Sequence, residues 1–126
     1  MSDSLLEPIP FNGGEAGPMD LATAAIWTAD ERERSSGQAK AYFFGRDIIK
    51  QILAQDGCMG LRVYYAFDPV SGKRHLLMVG ADADQNDQLP PLSAPPGADK
   101  YIIAEMALAC PNNCGVANDL NSSPQL

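Results

Sequence analysis

Apolar positions recur along the chain with two different periods, and the changes of period mark out its elements. Leu21, Ala24, Ala25 and Thr28 recur at three and four residues, Asp20 stands before them as a cap, and a charged run leads to Ser35-Ser36-Gly37, which predicts a helix over 20–35. Ala39 to Phe44 is aromatic and short, and reads as a strand. Ile48, Ile49, Ile52 and Leu53 fit one face of a helix over 46–56, with Gly57 suited to the left-handed position past its end. Met59, Leu61, Val63, Tyr65 and Phe67 then alternate with Gly60, Arg62, Tyr64 and Ala66, the period of a half-buried strand.

The turn-forming run Asp68 to Lys73 and the apolar stretch His75 to Val79 make that strand the first arm of a hairpin. Pairing Phe67 with Arg74 would put Leu61, Val63, Tyr65, Phe67, Leu76 and Met78 on one face, opposite Arg62, Tyr64, Leu77 and Val79. Both faces read as at least partly covered. A stretch without period follows over 81–98, and Asp99 can cap a last helix carrying Tyr101, Ile102, Glu105, Met106 and Ala109. The expected fold is α+β: a small three-stranded sheet, made of a short β-α-β unit and the hairpin, with two or three helices and extended proline-rich arms. The domain plan is an arm over 1–18, one domain over 19–115 that includes the loop 81–98, and a tail over 116–126.

Composition adds one feature to this plan. Hydrophobic residues make up 45% and charged residues 20% of the 126 residues, as in an ordinary folded domain. The net charge of −7 is unevenly placed: 1–20 has four acids and no base, 81–126 has six acids and Lys100, and 21–80 has eight bases against six acids. Nucleic acid is therefore a poor expectation as partner. The start lacks the basic and apolar regions of an export signal, and no apolar run approaches the roughly 20 residues that span a bilayer. A soluble, cytoplasmic protein with reduced thiols is expected.

Several groups offer chemistry. Cys58, Cys110 and Cys114 with His75 would make a Cys3His zinc set, and Cys110 with Cys114 alone a redox disulfide; the plainer reading buries Cys58 as a small apolar residue and leaves the other two at a helix end. Asp82, Asp84 and Asn86 place oxygens at alternate positions as calcium loops do, but Asp87 and Ser93 stand where such a loop needs Gly and Glu, so an acidic turn competes. Arg62, Tyr64 and His75 would bind an anion if they converge on one hairpin face. Glu31 to Arg34 reads as a solvated helix face, and Trp27 as a core anchor. No nucleophile arrangement or phosphate loop is recognisable, so the expectation leans away from an enzyme.

The segments Gly-Cys-Met-Gly-Leu-Arg-Val-Tyr-Tyr at 57–65, Val-Gly-Ala-Asp-Ala at 79–83 and Cys-Pro-Asn-Asn-Cys-Gly at 110–115 resemble a family of small uncharacterised proteins from Bacteroidota-type bacteria. With Trp27 to Asp30 and Phe43 to Ile49, the likeness covers about three quarters of the chain. It implies a bacterial protein and an overall plan, and carries no catalytic residue. The function expected from the residues is a non-enzymatic structural protein that self-assembles into a homo-oligomer, or binds another protein, through its arms and sheet edge. The alternatives are a cysteine-based zinc or redox module and a small anionic-ligand binder.

Overall fold

The computed structural model describes residues 8–105 and 107–122. Its elements are α1 (Leu21–Arg34), β1 (Ala41–Phe43), α2 (Arg46–Leu53), β2 (Gly60–Asp68), β3 (Lys73–Ala81), β4 (Asp87–Gln88) and β5 (Leu108–Cys110), an α+β fold. Asp20 caps α1 by accepting a hydrogen bond from the Thr23 amide, and α1 ends where the Ser35 amide bonds the Glu31 carbonyl. The alternating segment forms β2, which with β3 and β4 makes a sheet in the order β2-β3-β4.

Two expectations are corrected. The strand before α2 does not join the hairpin in a β-α-β unit: β1 pairs antiparallel with β5, with Tyr42 opposite Ala109, and the hairpin takes its third strand from the long loop. Among the described residues the expected last helix is absent; Met106, one of its expected positions, lies outside them. Asp99 accepts from the amide of Tyr101 only two residues on, closing a turn. The chain then runs extended, with Ala104 exchanging both backbone hydrogen bonds with Met78. Ile102 and Ala104 are buried while Ile103 is exposed, so the inward positions alternate and pairing with β3 prevails over helix formation.

Contacts divide the chain into two interleaved units. The first takes the described residues up to Glu15, with Gly45–Tyr64 and Leu77–Glu105; the second takes Ala16–Phe44, Tyr65–Leu76 and the described residues from 107 onward. The first unit has a core of Ile52, Met78, Val79, Ala81, Ile102 and Ala104, with Ile52 presented by α2 and fully enclosed. At its centre the Gln55 amide donates to Gln88 (2.9 Å), Gln88 donates to the Asp56 carbonyl (2.7 Å), and Gln55 accepts from the Ile102 amide (3.1 Å). Two glutamines thereby join the end of α2, β4 and the 102–104 segment while satisfying each other's polar groups.

The described part of the N-terminal arm packs on this same unit. The Phe11 amide bonds Ala83, the Gln85 side chain donates to the Ile9 carbonyl, and Arg62 lies 5.3 Å over the Phe11 ring. In the second unit, Cys110 is the one buried apolar residue among those described.

Candidate functional site

The anion-binding set expected on the hairpin divides. Arg62 and Tyr64, two apart on β2, both reach Asp87 at the start of β4: Arg62 Nη1 lies 2.7 Å from Asp87 Oδ1 and also donates to the Gln85 carbonyl, and the Tyr64 hydroxyl donates to Asp87 Oδ2. The chain's own carboxylate thus occupies the place an anion would take. Its hydrogen bond is the main cause holding the Arg62 guanidinium above its ordinary pKa, and likewise raises the Tyr64 phenol. His75 belongs to the second unit, where it lines a groove with Lys73 and Arg74.

The cysteines divide as well. Cys110 and Cys114 are joined in a disulfide at the end of β5, whereas Cys58, in the first unit, keeps a free thiol that donates to the Gly60 carbonyl. The described residues contain no group of three or more His, Cys, Asp or Glu side chains placed to hold a metal. In the loop expected as a calcium candidate, the Asp82 carboxylate accepts from the amides of Asp84 and Asn86, and the Gln85 amide bonds the Asp82 carbonyl. That oxygen works as the brace of a turn.

Exposed apolar groups lie on many parts of the chain, Leu92, Val70 and Val116 among them, and two groups of them share a strand or a strand pair. Strand β2 is an edge of its sheet, and its alternating residues Val63, Tyr65 and Phe67 are 47%, 82% and 62% exposed, where at least partial cover was expected. In the second unit, Phe43 and Leu108 stand opposite each other on β1 and β5 and are both exposed. Trp27 is 64% exposed and α1 buries no residue, which corrects its assignment as a core anchor. Tyr65 lines, with Ala39, Ala41, Tyr42 and Leu76, an open depression of about 600 Å3. Sequence reasoning singled out none of Phe43, Tyr65 or Leu108 as a contact residue. The signal was present in the crowding of six of the nine aromatics between Tyr42 and Phe67, around a core that needs few of them.

No helix among the described residues is long and apolar enough to cross a membrane. Comparison of the chain with models of known families, with curated proteins and with solved structures finds no match in any of the three.

Proposed function

We propose that this chain is a non-enzymatic assembly protein that self-associates through edge strand β2 and the apolar surface of its second unit. The observation that carries this reading is the nine-residue edge strand with Val63, Tyr65 and Phe67 open to water. Such an edge offers unpaired backbone groups and an apolar face together. A second copy is its simplest occupant, because a strand paired antiparallel with its own copy about a two-fold axis meets the same side chains it presents. Aromatic side chains bury roughly 150–250 Å2 each, so Tyr65 and Phe67 from two copies, with Val63 and the strand backbone, approach the roughly 1,000 Å2 of a specific interface.

The reading centres the contact on the sheet edge rather than on the arms, since the Ile9 carbonyl and the Phe11 amide and ring are engaged by their own chain, while the Ile9, Leu89 and Leu92 side chains stay exposed. It needs no cofactor and has the protein's own copies as partner; the expected bacterial cytoplasm is kept as part of the reading, although the Cys110–Cys114 disulfide departs from the reduced thiols expected there. Mass in solution by light scattering tests it, with the Tyr65→Lys, Phe67→Lys double variant as comparison. A dimer or larger species that the variant reduces to monomer supports it, and a monomeric parent protein overturns it.

A redox module is the second reading, favoured by the Cys110–Cys114 bond. In a reducing compartment such a pair cycles between dithiol and disulfide, and thiol counting on protein trapped in cell extract separates that use from a permanent crosslink.

A further inference from the structure

The second unit contains a groove whose charge is opposite to that of the chain. It measures about 560 Å3 and is lined at the end of α1 and the loop that follows it by Glu31, Arg32 and residues 35–40, by Tyr42, by Gly72 and the first three residues of β3, and by Ala107, Ala109 and Pro111. Arg32, Lys40, Lys73, Arg74 and His75 face it, with Glu31 as the one acid. Four of the eight bases of the 21–80 segment thus meet at one concavity of a protein whose net charge is −7.

Among the described residues, Arg74 is the one of these cations that an ion pair meets, and Arg32 and Lys40 are held by uncharged groups. Arg32 donates to the carbonyls of Leu120 (2.6 Å) and Ser122 (3.0 Å), and Lys40 to that of Asn121 (2.5 Å), all uncharged acceptors. Arg74 is braced by the Ala39 carbonyl and pairs with Glu31 at 3.7 Å, and Glu31 also accepts from the Ser35 hydroxyl. Lys73 has no carboxylate within ion-pair distance among the described residues. Carbonyl bonds fix the direction of a guanidinium or ammonium and leave its charge, so the described lining carries more positive than negative charge at a half-open concavity. The contrast with Arg62, whose charge is met at 2.7 Å by Asp87, is direct.

We propose that this groove binds a small organic oxyanion, its anionic head against Lys73, Arg74 and His75 and its apolar body against Tyr42, Ala107, Ala109 and Pro111. Guanidinium and ammonium groups recognise both phosphate and carboxylate heads, so the chemistry named is that of a polyanionic phosphate ester or polycarboxylate. The size supports an organic body: pockets of roughly 300–1,000 Å3 hold organic ligands, and a lone inorganic ion fills a small part of such a space. The groove shares Ala39, Lys40, Tyr42 and Arg74 with the depression beside Tyr65, and the two proposals are told apart by their readouts, heat of ligand binding against mass in solution.

The test is calorimetric titration of the full chain with inorganic pyrophosphate and with citrate at matched ionic strength, because unequal salt alone changes such binding. Saturable binding of pyrophosphate only assigns a phosphate head, of citrate only a carboxylate head, and of both a site that reads charge. Lys73→Glu, at an exposed position, is expected to weaken binding by about tenfold or more, as is Arg74→Gln, while Arg46→Glu in the other unit leaves it unchanged. If Arg74→Gln does not fold, the Lys73 variant decides. Absence of saturable binding of either probe up to about 10 mM overturns the proposal, as does binding that Lys73→Glu leaves unchanged.

Discussion

A methyl group on Gly80 would lie 2.6 Å from Gln88 Oε1, the residue opposite it across β3 and β4. The same methyl would meet Gln55 Nε2 at 2.9 Å and Cys58 Sγ at 3.0 Å, so the bare backbone of Gly80 is the floor on which the two glutamines rest. These atoms are held by hydrogen bonds and cannot swing aside without losing them. Gly80→Ala is therefore expected to destabilise the protein by about 1–3 kcal/mol, the usual cost of overpacking. Gln88→Ala, which leaves Gln55 Nε2 without its acceptor while Gln55 Oε1 keeps the Ile102 amide, should cost a similar amount, and the double variant less than the sum, because each change relieves the other's clash or gap. Chemical denaturation of the four proteins checks this.

Asp87 is shared between Arg62 and Tyr64, and removing it should be felt at both. Asp87→Ala leaves the partly buried Arg62 with the Gln85 carbonyl as its remaining polar partner, an expected cost of about 1–3 kcal/mol in unfolding free energy. The phenol of Tyr64 gives an independent readout. Spectrophotometric titration should show a tyrosine above the ordinary range of about 10 in the parent and restored to it in the variant. A raised phenol pKa makes its contribution to stability complete below the unfolded value and lost as pH rises through the folded one.

Asp20 gives the opposite sign. The Thr23 amide and hydroxyl hold its carboxyl below the usual value, so its charged cap contributes fully above the unfolded pKa of about 3.9 and is lost as pH falls through the lower folded value. The difference in melting temperature between the parent and Asp20→Ala should accordingly be constant from pH 7 to about 5 and shrink below about pH 4. A gap that widens on acidification contradicts the cap's role.

Local signals read well in this chain, and distant ones did not. Asp20, the stop at Ser35, the Ile48-Ile49-Ile52 face and the alternation from Leu61 to Phe67 each depend on neighbours within a few residues, and α1, α2, β2 and β3 form where those patterns place them. The Tyr101 to Cys110 stretch is apolar at almost every position, so neither period decides, and the pairing of Ala104 with Met78 and of Leu108–Cys110 with Ala41–Phe43 depends on partners far away in sequence. The candidate site failed for the same reason. Arg62 and Tyr64 were legible as a polar pair, but their partner Asp87 is more than twenty residues on, and the gathering of Arg32 and Lys40 with Lys73 and Arg74 depends on tertiary contacts alone.

Self-association through β2 is tested most directly by the mass of the intact protein in solution, measured by light scattering across a dilution series with and without Tyr65→Lys and Phe67→Lys. The expected result is a dimer or larger species for the parent that dissociates on dilution, and a monomer of 13.5 kDa for the variant with its fold retained. A parent protein that remains at 13.5 kDa at every concentration, or an oligomer indifferent to both substitutions, contradicts it.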